Sequence, residues 1–187
     1  MSVATATAAI WIAVGLVWGV EGLRARQAGP PVAVRPAVGH YVLLAGTWIL
    51  FTRNLGYRPL TWRVLPDVPV WAWTGLVLTF VGAAFAIWAR LGLGQQWSSR
   101  VRIADDHQLI RGGPYAYVRH PIYSGLLLAL VGTALGIGET RAVIGLALAF
   151  IGWLWKSRAE EQLLLARFGD DYVRYRHEVK AMIPYVL

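Results

Sequence analysis

Long apolar runs separated by short polar stretches set the pattern of this chain, and their lengths predict its elements. Crossing a hydrocarbon core of about 30 Å takes roughly 20 apolar residues in a helix. Val3–Leu23 and Val68–Ala89 meet that length, while Val38–Thr52 is shorter but carries no Asp, Glu, Lys or Arg before its end. Ile122–Ile137 and Ala142–Trp155 are separated only by Gly138-Glu139-Thr140-Arg141, which predicts a tight antiparallel hairpin. The expected fold is all-α: an integral membrane bundle of about five transmembrane helices, the second and the last two being short. Trp71 and Trp73 stand where an interfacial aromatic belt would lie, and His40 and Trp48 suit interfacial or inter-helix positions.

Two polar stretches do not span. Between Gln95 and Tyr117, Val101-Arg102-Ile103 alternates, Ala104-Asp105-Asp106-His107 reads as a turn, and Gly112-Gly113-Pro114 closes the stretch. A short hairpin or extended loop over the bundle is expected there. From Ala159 to Val179 the tail is amphipathic: Leu163, Leu164, Phe168, Tyr172, Tyr175 and Val179 recur at three- and four-residue spacings. That predicts a C-terminal helix, broken at Gly169, lying along the membrane surface or over a site. The expected organisation is a single membrane domain over 1–187, with a three-helix portion over 1–90 and a ligand-binding portion over 95–187.

Composition agrees with the pattern. Hydrophobic residues make up 57% of the 187, only 15% are charged, and there are ten Trp, well beyond an average soluble domain. The absence of Cys excludes disulfides, thiolate metal sites and cysteine nucleophiles. The net charge of +8 is spread between apolar runs rather than gathered in one patch, so basic membrane loops explain it and nucleic acid is not an expected partner. The first run lacks a basic n-region and a small-x-small cleavage site, so a retained anchor is expected rather than a signal peptide. With the N-terminus outside, fourteen of the eighteen Lys and Arg fall on the cytoplasmic side, leaving Arg53, Arg58, Arg63 and Arg141 outside. The expectation is a multi-pass protein of the cell or inner membrane whose C-terminus and site are cytoplasmic.

Candidate chemistry lies in two polar clusters flanking the last two apolar runs. Pro121 suits the first turn of a helix. Arg119 and His120 then precede the positive N-terminal end of that helix, which favours an anionic ligand. The competing reading has Arg119 obeying the positive-inside bias and His120 capping the helix. In the second cluster, Lys156-Ser157-Arg158-Ala159-Glu160-Glu161, the acidic pair either forms helix-surface ion pairs with Lys156 or Arg158 or grips a cationic or hydroxyl-bearing ligand. The four His show no H-x-x-x-H or H-E-x-x-H spacing, so no metal is expected, and no phosphate loop or G-x-S-x-G element is present.

In order along the chain come Asp106-His107-Gln108-Leu109-Ile110, Gly113-x-Tyr115-x-x-x-Arg119-His120-Pro121-x-Tyr123-x-Gly125, Glu160-Glu161-x-x-Leu164, Phe168-Gly169-x-x-Tyr172-x-x-Tyr175 and Ile183-Pro184. Over roughly Gln95 to Leu187 this closely resembles the isoprenylcysteine carboxyl methyltransferase family, integral membrane enzymes that include compact prokaryotic members. The resemblance implies methyl transfer from S-adenosylmethionine, with S-adenosylhomocysteine as product, to a membrane-embedded or lipid-modified acceptor. It implies cofactor contacts by His107, Gln108, Leu109, Ile110, Tyr115, His120, Pro121, Ile122, Tyr123 and Glu160. It puts Lys156, with Arg158 two residues on, beside the substrate. Arg119 and Glu161 are then the expected catalytic residues. A lipid tail would pass between helices where Gly82, Ala83, Ala84 and Ala86 leave room. The alternatives are a phospholipid or thiol methyltransferase of the same superfamily, a non-catalytic scaffold, and an NADPH-dependent reductase of the sterol reductase type. In that last case Arg100, Arg102 and Arg111 would hold the phosphates.

Overall fold

A computed structural model describes residues 2–26, 38–52, 57–93 and 109–183. All five predicted apolar runs form helices: α1 Val3–Arg26, α2 Val38–Phe51, α3 Pro69–Gly92, α4 Pro121–Ile137 and α5 Thr140–Phe168, followed by α6 Asp170–Glu178. Short 3₁₀ turns cover Arg58–Thr61 and Gly113–Ala116, and among the described residues β-structure is confined to two isolated bridges. Helices α1, α3 and α5 are long and apolar enough to cross a bilayer, and α2 and α4 are shorter apolar helices. The chain is an integral membrane protein.

Lipid is as apolar as any side chain, so helices in a bilayer associate through close backbone approach and polar contacts rather than hydrophobic burial. Glycines seven residues apart supply that approach on four helices: Gly39/Gly46, Gly75/Gly82, Gly125/Gly132 and Gly145/Gly152. A Cβ on Gly75 would lie 2.5 Å from the Gly132 carbonyl oxygen, and one on Gly125 would lie 2.6 Å from the Ala86 nitrogen. The same holds between α2 and α5, where a Cβ on Gly46 would lie 2.6 Å from the Ala149 nitrogen and one on Gly152 would lie 2.7 Å from the Gly39 oxygen. The bundle is therefore two tight antiparallel pairs, α3 with α4 and α2 with α5. A seven-residue repeat is the spacing expected for helices that cross at a shallow angle.

This packing corrects the expected lipid passage. Gly82, Ala83 and Ala86 are buried and Gly82 and Ala86 press on α4, so they leave no gap; Ala84 faces outward.

Helix α1 is held by polar contacts. Trp11 Nε1 donates to Thr133 Oγ1 at 2.9 Å, and the Thr133 hydroxyl lies 3.2 Å from that of the fully buried Thr79. Near the other end of α1, Glu21 pairs with Arg90 of α3 at 3.6 Å. At the end of the bundle away from the polar clusters, Arg141 is 3% exposed, pairs with Glu139 at 2.6 Å and donates to the Leu50 carbonyl of the last α2 turn. The segment 62–65 closes over that end, with Thr140 N donating to Trp62 O at 2.9 Å and Val64 N to Gly138 O at 2.8 Å.

One predicted boundary is wrong. The fifth helix does not stop at Trp155; it runs unbroken to Phe168, so the expected amphipathic tail helix is the rest of α5 plus α6. The break does fall at Gly169, whose φ is +50°.

Replacing Gly82 by Leu forces side-chain atoms into the α4 backbone, and overpacking of this kind costs about 1–3 kcal/mol or more. Gly15→Ala on α1, where nothing lies within 4 Å of the new Cβ, stays within about 1 kcal/mol of wild type. Thermal unfolding in detergent separates the two; equal melting temperatures would refute the packing account.

Candidate active site

Three stretches meet at one end of the bundle: the start of α4, α5 from Trp153 to Glu161, and the residues that follow α6. Residues 180–182 lie along the approach to α4. Arg119 N and His120 N donate at 2.8 Å to the carbonyls of Lys180 and Ala181, and Ser124 Oγ donates to Met182 O at 2.6 Å. Pro121 opens α4 as expected, and His120 is its N-cap residue without a side-chain capping bond. The capping reading of His120 therefore fails, and its imidazole faces α5.

The paired glutamates meet this corner, and each is used differently. Glu161 Oε1 accepts from Arg119 Nη2 at 2.6 Å and Nε at 3.0 Å, with His120 Nε2 at 3.4 Å. Arg176 Nε of α6 stands 3.7 Å from the other oxygen. Arg119 Nη1 also donates to the carbonyls of Arg176 and Val179. The side chains of Arg119 and Glu161 are only 9% and 14% exposed. This pair ties α4, α5, α6 and the C-terminal strap together.

Glu160 stays more open, its side chain 30% exposed. Its Oε1 accepts from Tyr123 OH at 2.5 Å and lies 3.9 Å from Lys156 Nζ, while its Oε2 lies 3.7 Å from His120 Nδ1. Aromatic rings stack beneath it. His120 and Tyr123 are nearly parallel at 5.5 Å between centroids, and Tyr123 stacks on Trp153 at 6.2 Å. Lys156 Nζ sits 5.2 Å from the centre of the Tyr123 ring. The result is a half-open corner with one carboxylate, one phenol and an aromatic face, a combination suited to cations.

Helix α6 roofs the corner. Tyr175 OH donates to Tyr115 O at 2.6 Å, and Arg111 donates to Asp171 O at 2.5 Å while stacking over the Tyr175 ring at 5.5 Å. Tyr115 is 8% exposed, with its hydroxyl 3.5 Å from Ala89 O of α3. Burial, reinforced by the Glu161 charge, pushes the Tyr172 phenol up to about 12, and burial also pushes those of Tyr115 and Tyr175 up. All three remain neutral at physiological pH.

The structure thus brings Tyr115, Arg119, His120, Pro121, Tyr123, Lys156, Glu160 and Glu161 into one region. Leu109 and Ile110 are half-buried, as is Ile122 in the first turn of α4. His107, Gln108, Arg100 and Arg102 lie outside the described residues. Arg158 is not brought in: two positions from Lys156, it points roughly 200° around the helix and is exposed. The use of Arg111 against α6 takes it away from the phosphate-clamping role of the reductase alternative. Sequence reasoning missed Trp153, Ser124 and the buried Arg90. Trp153 and Arg90 each stand near the end of an apolar run, where they look like span boundaries.

The model of the isoprenylcysteine carboxyl methyltransferase (ICMT) family matches residues 74–166. A protein-S-isoprenylcysteine O-methyltransferase of Schizosaccharomyces pombe is 38% identical over 84 residues, covering 43% of this chain and 35% of that protein. The Homo sapiens enzyme of the same name is 26% identical over 150 residues, covering 78% and 51%. A probable one from Oryza sativa subsp. indica is 29% identical over 118 residues, covering 62% of each. The chain therefore spans from about a third to under two thirds of these relatives' lengths. The solved structure of the eukaryotic intramembrane Ras methyltransferase ICMT shares the fold, with a TM-score of 0.56 at 22% identity over 82% of this chain and 55% of that one. With its Arg-His-Pro corner closed by the glutamates of α5 inside the matched region, the chain belongs to the isoprenylcysteine carboxyl methyltransferase family.

Proposed function

We propose that the protein transfers a methyl group from S-adenosylmethionine to the carboxylate of a lipid-modified acceptor, an S-prenylated cysteine being the acceptor class the named relatives act on. The observation that carries this reading is the meeting of His120 and Tyr123 with Glu160 at 3.7 and 2.5 Å, in a corner still a third open. The residues fit a donor bearing an ammonium and a sulfonium. Glu160 offers the negative charge, Tyr123 and His120 offer ring faces, and Tyr115 with Leu109 and Ile110 offers an apolar wall. Of the residues outside the described set, His107 and Gln108 belong to the same proposed contact group.

S-adenosylmethionine brings both the methyl group and its leaving group. The chain's task is then alignment, which supplies up to roughly 7–11 kcal/mol when two reactants are held in reacting geometry. Glu160 and Tyr123 hold the cationic side of the donor. Lys156, half-exposed on the same face of α5, faces the acceptor carboxylate and orients it. A carboxylate needs no general base at neutral pH, so neither Arg119 nor Glu161 has to move a proton. Their role is to fix His120 and the strap around it, which makes them positioning residues rather than the catalytic pair the sequence suggested. In this reading the site faces the cytoplasm with the N-terminus outside, an orientation that the distribution of Lys and Arg supports.

Calorimetry on purified protein should show S-adenosylhomocysteine binding, and His120→Ala and Glu160→Ala should each weaken it by tenfold or more, as a lost charged hydrogen bond of about 1.5–3 kcal/mol predicts. Labelled methyl should appear in a base-labile ester on membrane extract. No binding by the wild-type protein would overturn the assignment.

Arg119→Met leaves the largely buried Glu161 with only the longer contacts to His120 and Arg176; the loss of charged hydrogen bonds worth about 1.5–3 kcal/mol each should lower the melting temperature. The double variant Arg119→Met/Glu161→Met should regain part of that loss. Additive losses in the double-variant cycle would show that the two side chains are not coupled.

A further inference from the structure

Lys156 occupies the corner that the proposed function assigns to a cation. Its ammonium rests over the Tyr123 ring at 5.2 Å and 3.9 Å from Glu160 Oε1, the oxygen that also accepts the Tyr123 hydroxyl. The geometry is intrahelical on one side, since Lys156 and Glu160 are one turn apart on α5, and reaches α4 on the other. One aromatic face and one carboxylate oxygen cannot serve two cations at contact distance without like-charge repulsion. Lys156 is 33% exposed in its side chain, so its four-carbon stem can swing the charge outward at little cost, as Lys does readily and Arg does less so.

We propose that Lys156 is a resident counter-cation of the donor corner. It neutralises Glu160 and covers Tyr123 while the corner holds no ligand. It yields both to an incoming cationic ligand, and its displaced ammonium then faces the acceptor and binds that molecule's carboxylate. The inference rests on the donor reading above and adds to it a trade-off at one residue. Lys156 opposes a cationic ligand at Glu160 and Tyr123 and favours an anionic one beside it. Arg158, on another face of the helix, has no part in this.

The test is calorimetric titration of wild type, Lys156→Met, Lys156→Gln and Lys156→Arg with S-adenosylhomocysteine and with sinefungin, which carries an added amine near the sulfonium position. Removing the competing charge should tighten both ligands by roughly three- to tenfold in the Met and Gln variants, the combined worth of an exposed cation–π contact and an exposed ion pair. Sinefungin, with the greater positive charge, should gain more. Lys156→Arg, which keeps a cation over the ring, should stay near wild type. In methyl-transfer kinetics with an N-acylated S-prenylcysteine, Lys156→Met should raise KM for the acceptor while the donor binds more tightly. A merely structural role would move both in the same direction. Unchanged or weaker donor-analogue binding in both Lys156→Met and Lys156→Gln, with wild type binding normally, overturns this inference and leaves the donor reading standing. Absence of binding by every protein overturns both.

Discussion

Backbone contact between glycine-lined helices is the constraint on which the rest of this molecule depends. In lipid no hydrophobic term rewards helix association, so register must come from shape. A Cβ on any of the eight paired glycines would sit within 2.8 Å of atoms of the facing helix, which leaves little freedom to slide. That fixes the register within each pair. The tight turn at Gly138-Glu139 then sets α5 against α4, and the contacts of Glu160 and Glu161 with Arg119, His120 and Tyr123 join the two pairs at the site end. The polar network of Trp11, Thr79 and Thr133 fastens α1 across the same core.

Adjacent carboxylates on one helix turn point about 100° apart, and the fold uses the difference. Glu161 turns into a buried knot with Arg119 that gathers four chain segments, while Glu160 turns toward a half-open corner. A buried ion pair is weak evidence of stability in itself, because desolvation offsets much of the attraction. Its value here is specificity of arrangement: Arg119 also donates to two carbonyls at the end of α6, so only one placement of α6 and the strap satisfies it. The open carboxylate depends on the closed one for its surroundings.

Much of this is legible in the sequence, and the failures have physical reasons. The longest spans are readable because runs of about 20 mostly apolar residues match the thickness of a bilayer and exceed the needs of a soluble core helix. The Arg-His-Pro corner is readable because charge at a helix mouth is conspicuous. The end of α5 is not, because Lys156-Ser157-Arg158 ends the apolar run but not the helix. Ala, Glu, Gln, Leu and Arg, which fill 158–167, are good helix formers in any solvent. Gly82, Ala83 and Ala86 suggest a gap because small residues leave space on an isolated helix; against a partner helix they mark contact. The seven-residue glycine spacing is present in the sequence and tells the two cases apart. Arg158 falls beside the site only by nearness in sequence, which a helix does not respect at a spacing of two.

Helix lengths explain why the site sits where it does. At 1.5 Å per residue, the 29 residues of α5 extend about 43 Å, whereas the 17 of α4 extend about 26 Å. Against a hydrocarbon core of about 30 Å, α5 must project by two or more turns, and at the site end the projecting residues are those from Lys156 onward. Pro121 begins α4 at that same level, so the charged corner lies at the boundary between lipid and water, built on a continuous helix rather than on a loop. For the proposed reaction, this placement would let a lipid-tethered acceptor reach the boundary without leaving the bilayer and a water-soluble donor reach it without entering. Any shortening of α5 before Glu160 would draw the carboxylates into hydrocarbon, where an uncompensated charge is costly, so the length of this one helix and the chemistry at its end are a single requirement.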